Sequence, residues 1–241
     1  MKSFFRALVV IFVSALTFDA SAKLQVLTEL SPPNQTMVNN EVTGSSTELV
    51  RMILSKSNLE GDFTLLPWAR AYHLAKNQRN ALIYSIARTT ERETLFRWIG
   101  PVAVFELGFV TNSYRDDIAL ATVEQAKAYR IAVQRNDIAQ TILTEMGFDV
   151  VVTSDIEKSY QLLVTNKIDF VIDDKRLIKN MAKELNLPED QFKFALPVPE
   201  LFVKGYLAAN KDLPEEQYQA LLSAYQYISK SAVYSEVLHL N

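Results

Sequence analysis

The residues of this chain that could do chemistry are charged side chains placed at the ends of apolar runs. Ser85-Ile86-Ala87-Arg88-Thr89-Thr90-Glu91-Arg92 leaves one such run and carries two arginines in a single loop. A guanidinium presents a planar fork that matches a carboxylate, so Arg88 or Arg92 could hold an anionic group. The competing reading is a surface arginine in a loop already rich in charge, with Glu91, Glu93 and Arg97 nearby. Asp173-Asp174 closes an apolar run at the carboxyl end of a predicted strand, where open α/β sheets place their ligands. Either acid could equally cap the helix that follows. Glu29 and Ser85 stand at the ends of two further strand-like runs, where ordinary strand-end contacts are the alternative to a binding role. Asp137 heads a helical stretch as a good N-cap, and puts negative charge where it could repel a carboxylate or attract a cation. Pro67-Trp68-Ala69-Arg70-Ala71-Tyr72 offers an indole to stack on a planar or cationic ligand and Arg70 to hold an anionic group. The same residues would also serve as a core plug and an intralobe ion pair.

Composition removes most other chemistries. Cysteine is absent, which excludes disulfides, cysteine-ligated metals and thiol catalysis. His73 and His239 are the two histidines, too few for a histidine metal site or a Ser-His-Asp triad, and both read as surface or packing residues. The 25 Lys+Arg against 28 Asp+Glu give a formal charge of −3, with no basic excess to attract nucleic acid. A 49% hydrophobic, 22% charged chain of 241 residues is a folded globular protein, long enough for one large domain or two small lobes. No cofactor and no metal is expected.

Residues 1–22 read as a secretory signal peptide. Lys2 and Arg6 form the positive segment, residues 7–18 are apolar, and Ala20-Ser21-Ala22 fits the small-x-small cleavage pattern. The apolar run is shorter than the roughly 20 residues a transmembrane anchor needs, and Asp19 stops it. The mature chain would start at Lys23 and act in the periplasm.

Strand-like and helix-like stretches alternate along the rest, which argues for an α/β fold. Strands are expected at 24–28, 63–66, 81–86, 108–111, 130–133, 149–152, 170–172, 192–196 and 202–209. Helices are expected at 45–55, 69–76, 137–146, 156–165, 176–185, 214–229 and 232–238. Ser45 with Glu48 forms a capping-box pattern for the first helix. Leu187-Pro188-Glu189 and Leu213-Pro214-Glu215 both read as helix starts with proline in the first turn. No Gly/Ser tether is present, so two lobes would be joined by strands running through. The expected crossings lie near 111–114 and 202–205. This places lobe 1 at 23–112 and 204–241, and lobe 2, inserted within it, at 113–203.

Several motifs in order resemble the bacterial family 3 extracellular solute-binding proteins. They are Thr28-Glu29 with Pro32-Pro33, the Ser85–Arg92 segment followed by Trp98-Ile99-Gly100-Pro101, Ala132-Val133-Gln134-Arg135-Asn136-Asp137, Lys167-Ile168-Asp169-Phe170-Val171-Ile172-Asp173-Asp174, and Lys204-Gly205-Tyr206-Leu207-Ala208-Ala209-Asn210. The Pro67–Tyr72 box and the Ala87–Glu93 segment resemble a divergent subgroup with "P-W-A-R-A" and "A-R-T-x-E-R-E".

The resemblance implies a two-lobe periplasmic binding protein type 2 fold with the ligand clamped in the cleft by hinge closure. It implies a non-enzyme, a monomer by default, that binds a small polar ligand such as an amino acid and delivers it to an ABC-type membrane permease. Arg92 aligns with the arginine that binds the ligand α-carboxylate. Asp174, at family spacing from Asp169, aligns with the acid that holds the amino group. Glu29 and Ser85 align with further ligand contacts. The family's Gly-Thr-Thr anion site is replaced by Asn136-Asp137-Ile138, which puts carboxylate binding in question. Two rivals remain: a periplasmic lyase or dehydratase using Glu29 and Asp174 as acid and base, and a sensory partner that presents ligand to a receptor.

Overall fold

The computed structural model describes residues 23–238, so the signal-peptide segment and His239 lie outside the described residues. Along the chain run β1 (Leu24–Thr28), β2 (Thr36–Val38), β3 (Glu41–Thr43), α1 (Ser45–Lys56), β4 (Gly61–Leu65), α2 (Trp68–Asn77), β5 (Ala81–Ala87) and β6 (Phe96–Asn112). A 3-10 turn at Val123–Ala128 leads to β7 (Ile131–Gln134), α3 (Ile138–Glu145), β8 (Val150–Thr153), α4 (Ile156–Val164), β9 (Phe170–Asp174), α5 (Ile178–Glu184) and β10 (Phe192–Asn210). Helices α6 (Glu215–Ile228) and α7 (Ala232–Val237) follow.

Eight strands form one mixed sheet in the order β4-β1-β5-β10-β6-β9-β7-β8. β1 is parallel to β4 and β5, and β7 is parallel to β8 and β9. Between these two parallel groups lie β6 and β10, 17 and 19 residues long and antiparallel along their length. At about 3.3 Å per residue each spans more than 50 Å, enough to traverse two lobes. β5 pairs with the last part of β10, at Gly205–Ala209, while β9 pairs with the last part of β6, at Leu107–Val110. One lobe therefore gathers α1, α2, α6 and α7 around β4-β1-β5, and the other gathers α3, α4 and α5 around β9-β7-β8.

The two lobes bury separate cores. Leu49, Val50, Ile53 and Leu54 of α1 pack with Val26, Leu82, Leu207 and Leu221, and each such side chain contributes about 1.5–3 kcal/mol on burial. In the second lobe Phe109, Ile131, Leu143 and Phe170 form one cluster, and Ala132, Tyr160, Leu163 and Val171 another. Asp169 fastens the start of β9. Burial works to raise its carboxyl, but hydrogen bonds from Arg130 and Arg115 prevail and hold it at about 2.

Several expectations need correction. The stretches 192–196 and 202–209 are one strand, interrupted where pairing with β6 jumps from Pro197 to Phe202. The stretch 108–111 is only the end of β6, because Gly100-Pro101 hides the strand before it. Pro101 is tolerated beside a bulge, where pairing slips between Gly205 and Tyr206. No capping box forms at α1. The carbonyls of Pro33 and Asn34 take the Ser45, Ser46 and Thr47 amides, and the Ser45 hydroxyl turns to Asn34. Pro188 starts a turn before β10 rather than a helix, whereas Pro214 does cap α6.

Gly205 is where β10 enters the first lobe, and a side chain there has no room. A Cβ would stand 2.8 Å from the Ser85 Cα and 2.9 Å from the Phe105 ring. Gly205→Ala is expected to cost about 1–3 kcal/mol, as overpacked sites do, measurable as a lower urea midpoint at unchanged slope.

Candidate functional site

A cavity of about 70 Å³ lies between the lobes, roomy enough for several water molecules or part of a compact ligand. The first lobe lines it with Glu29, Gln35, Trp68 and Ser85, and the second with Gln134, Asp137, Ile138 and Asp173. Phe105, Leu107 and Val203, from the crossing segments, add apolar wall.

Backbone geometry places these groups. Ser85 has φ +63° within β5, a left-handed conformation unusual for a serine in a strand and costing on the order of 1 kcal/mol or more. Its hydroxyl accepts a hydrogen bond from the Gln35 side-chain amide. Asn136 has φ +60°, which asparagine tolerates, and carries the lobes' main junction. Its carbonyl accepts from the Trp68 indole N–H and from the Arg92 guanidinium, each at 2.8 Å. The Arg92 guanidinium also donates to the Ala87 carbonyl at 3.1 Å, and its carbon lies 5.5 and 5.2 Å from the ring centres of Trp68 and Tyr72. A third bond crosses the cleft from the Gln134 amide to Glu29 at 2.8 Å, and a fourth, at the surface, from the Thr36 hydroxyl to Glu184. Together these bonds close the cleft around the cavity.

Three carboxylates face this space. Glu29 and Asp137 are half-buried and line the cavity. Burial, reinforced by the charge of Asp137, pushes Glu29 up to about 8, against the pull of Gln134 and Arg92. Burial also pushes Asp173 up to about 7, although Tyr160 and the Asp174 amide donate to it at 2.7 and 2.8 Å. Asp137 is raised by burial too, opposed by Arg92 and by the amides of Ile138 and Ala139. Two acceptors are left over: Oε1 of Gln35 and Oε1 of Gln134 are buried without a hydrogen-bond partner. Buried polar atoms are nearly always paired, so these two mark where donors belong.

Glu29, Trp68, Ser85 and Asp137, singled out from the sequence, are thus brought together. Arg92, rather than Arg88, turns inward. Arg88 is exposed, paired with Glu93 at 2.8 and 2.5 Å, and stacked near Trp98 and Tyr206. Arg92 is spent on backbone carbonyls and lies behind the cavity wall rather than in it. Asp174 and Arg70 are not brought to the site. Asp174 is fully buried, accepts the Glu106 amide at 2.6 Å and pairs with Arg176 at 2.5 Å, which braces the end of β9 against β6. The acid that faces the cavity is its neighbour Asp173. Arg70 is exposed on α2, outside the lining, and His73 lies beside Asn77 on the same helix. Sequence reading missed Gln35, Gln134 and the Asn136 carbonyl, since glutamines and a main-chain group carry no motif.

No protein-family model matches the chain, and no curated protein sequence does. Solved structures do. A histidine kinase sensor domain with similarity to periplasmic binding proteins superimposes with a TM-score of 0.77 at 17% identity, covering 90% of this chain and 94% of that one. An ancestral arginine-binding protein bound to arginine gives 0.75 at 18%, covering 89% and 96%. The arginine-, lysine-, histidine-binding protein ArtJ from Geobacillus stearothermophilus gives 0.75 at 16%, covering 89% and 93%. The fold is that of the two-lobe periplasmic binding proteins of type 2. At these identities the likeness establishes the fold alone.

Proposed function

We propose that this protein is an extracytoplasmic solute-binding protein, akin to family 3 and its "P-W-A-R-A" subgroup, that captures a small polar ligand by closing two lobes over it. The observation that carries this reading is the interlobe cavity, bridged by Trp68, Arg92 and Gln134 and lined by carboxylates and by Gln35 and Gln134, whose Oε1 atoms lack partners. A ligand touching both lobes adds contacts that exist only in the closed state, which is the differential affinity that ligand-driven closure requires. The lobes divide at the crossings of β6 and β10; since the end of β6 from Leu107 pairs with β9 and Phe109 packs in the second lobe, the first crossing falls before Leu107 rather than at 112, and the second near 202–205. Structural relatives that bind arginine, or arginine, lysine and histidine, support an amino acid or a related nitrogen compound as ligand. Delivery to an ABC-type permease, action as a monomer in the periplasm and export through residues 1–22 complete the proposal. Because one relative is a kinase sensor domain, presentation of ligand to a receptor is the second reading. The acid–base pair of Glu29 with Asp174 has no geometric basis, since Asp174 is bound to Arg176 outside the cavity.

Thermal unfolding of the chain starting at Lys23, refolded from denaturant to strip ligand, tests this. A ligand at 100 times its Kd should add about 2.7 kcal/mol, which for this size is roughly 5–10 °C in Tm. A panel of amino acids, amines, peptides, sugars and organic acids that produces no shift would overturn the proposal.

A further inference from the structure

The proposed capture of a small solute leaves its chemical class open, and the cavity itself narrows that class. Two features could hold a ligand carboxylate, and both are already engaged. The Arg92 guanidinium donates to the carbonyls of Ala87 and Asn136. The amides at the start of α3 face the chain's own Asp137, whose Oδ1 accepts from the Ile138 N–H at 2.6 Å. A ligand carboxylate brought there would meet Asp137 instead of free N–H groups, at a cost that like charges in a poorly solvated site make large.

What the cavity does offer is acceptors. Glu29, Asp137 and Asp173 line it from three directions of the chain, and no cationic side chain is among the lining residues. Gln35 is fully buried and Gln134 is 8% exposed, both side chains line the cavity, and each has an Oε1 without a partner. The Gln35 oxygen is independent of the acidic cluster, its amide being bonded to Ser85, whereas the Gln134 amide is bonded to Glu29; both oxygens ask for N–H donors. Among the described residues no group of His, Cys, Asp and Glu is arranged to hold a metal ion, so the acids do not converge on a point charge. Between them stand Leu30, Phe105, Leu107, Ile172 and Val203, a wall suited to methylene groups.

We infer that the ligand is an organic cation without a carboxylate: an aliphatic amine or guanidine, with cationic nitrogens held by Glu29, Asp137 and Asp173 and by the Gln35 and Gln134 oxygens. With the three acids ionised and Arg92 behind the wall, the site carries two negative charges in excess, which matches a dication. This rests on the solute-binding reading above and is separable from it.

The test compares amino acids with their decarboxylated counterparts by calorimetric titration of the stripped protein: lysine against 1,5-diaminopentane, ornithine against 1,4-diaminobutane, arginine against 4-aminobutylguanidine. Each pair differs only in the carboxylate. The amine should bind at least tenfold more tightly than its parent in one or more pairs. Asp137→Asn, which keeps an N-cap of similar strength, should weaken the amine and shrink the difference within the pair. Amino acids binding as well as or better than their amines would overturn the inference and leave solute capture standing. The same holds if only neutral or anionic compounds bind. If neither the pairs nor the wider panel bind, both readings fall.

Discussion

Arg92→Met is expected to lower the stability of the protein by about 3 kcal/mol or more, because it removes two charge-assisted hydrogen bonds, each contributing about 1.5–3 kcal/mol net. Its guanidinium links the Ala87 carbonyl to the Asn136 carbonyl across the cleft, and methionine keeps much of the volume between Trp68 and Tyr72 without the donors. It also takes away a positive charge acting on Glu29 and Asp137. Urea unfolding measures the loss, and small-angle scattering with saturating ligand reports whether the lobes still close. The pattern of lost affinity separates two roles. A clasp between lobes weakens every ligand by a similar factor, whereas an arginine that grips a ligand carboxylate weakens only carboxylate-bearing ones. Uniform loss is expected. A Tm and an affinity unchanged from the parent would show that the clasp contributes nothing.

The second large effect is on pH dependence. Glu29, facing Asp137, Asp173, Gln134 and Arg92, has a folded-state carboxyl raised to about 8 from an ordinary 4.5, and Asp173, facing Tyr160, Asp174 and Asp137, one raised to about 7. Between those limits the folded ligand-free protein binds protons that the unfolded chain has already released. Stability therefore falls as pH rises from about 5 to 8, and is restored below about pH 4.5 as far as these two groups are concerned. A proton held by the folded chain alone is worth about 1.4 kcal/mol for each tenfold change in acidity, so a loss of about 3 kcal/mol or more across that window is expected. Glu29→Gln should flatten much of the slope. A bound cation should reverse it, since ionised carboxylates then have a partner, and affinity for amines should climb over the same window. Ligand-free stability that is level or rises between pH 5 and 8 would contradict the burial of these acids.

The alternation of apolar runs and helix signals makes most elements readable from the sequence. Strands β1, β5, β7 and β9 and helices α2, α3, α4 and α6 fall within a few residues of expectation, because each is a local period bounded by local punctuation. The long strands are not readable in this way. Gly100-Pro101 and Pro197-Val198-Pro199 look like ends of strands, and only the partner strand, with its bulges, lets the pairing run on past them. The α1 cap shows the same limit: Ser45 and Glu48 have the right spacing, but the Pro33-Asn34 carbonyls reach the amides first.

At the site, sequence alone determined the charged stock: Glu29, Asp137 and an Arg92 close enough in type and order to known binding proteins to suggest a cleft. It also determined that thiol chemistry is impossible and histidine chemistry all but so, because those side chains are missing or nearly so. Tertiary structure decided what each residue faces. Adjacent residues in a strand point to opposite sides, so choosing between Asp173 and Asp174 required the neighbours: Tyr160 and the cavity for one, Arg176 and Glu106 for the other. Arg92 is spent on two carbonyls that are 5 and 44 positions away along the chain, and Gln134 meets Glu29 across 105. Hydrogen bonds over such separations depend on how two lobes dock, and no local pattern of residue types encodes that.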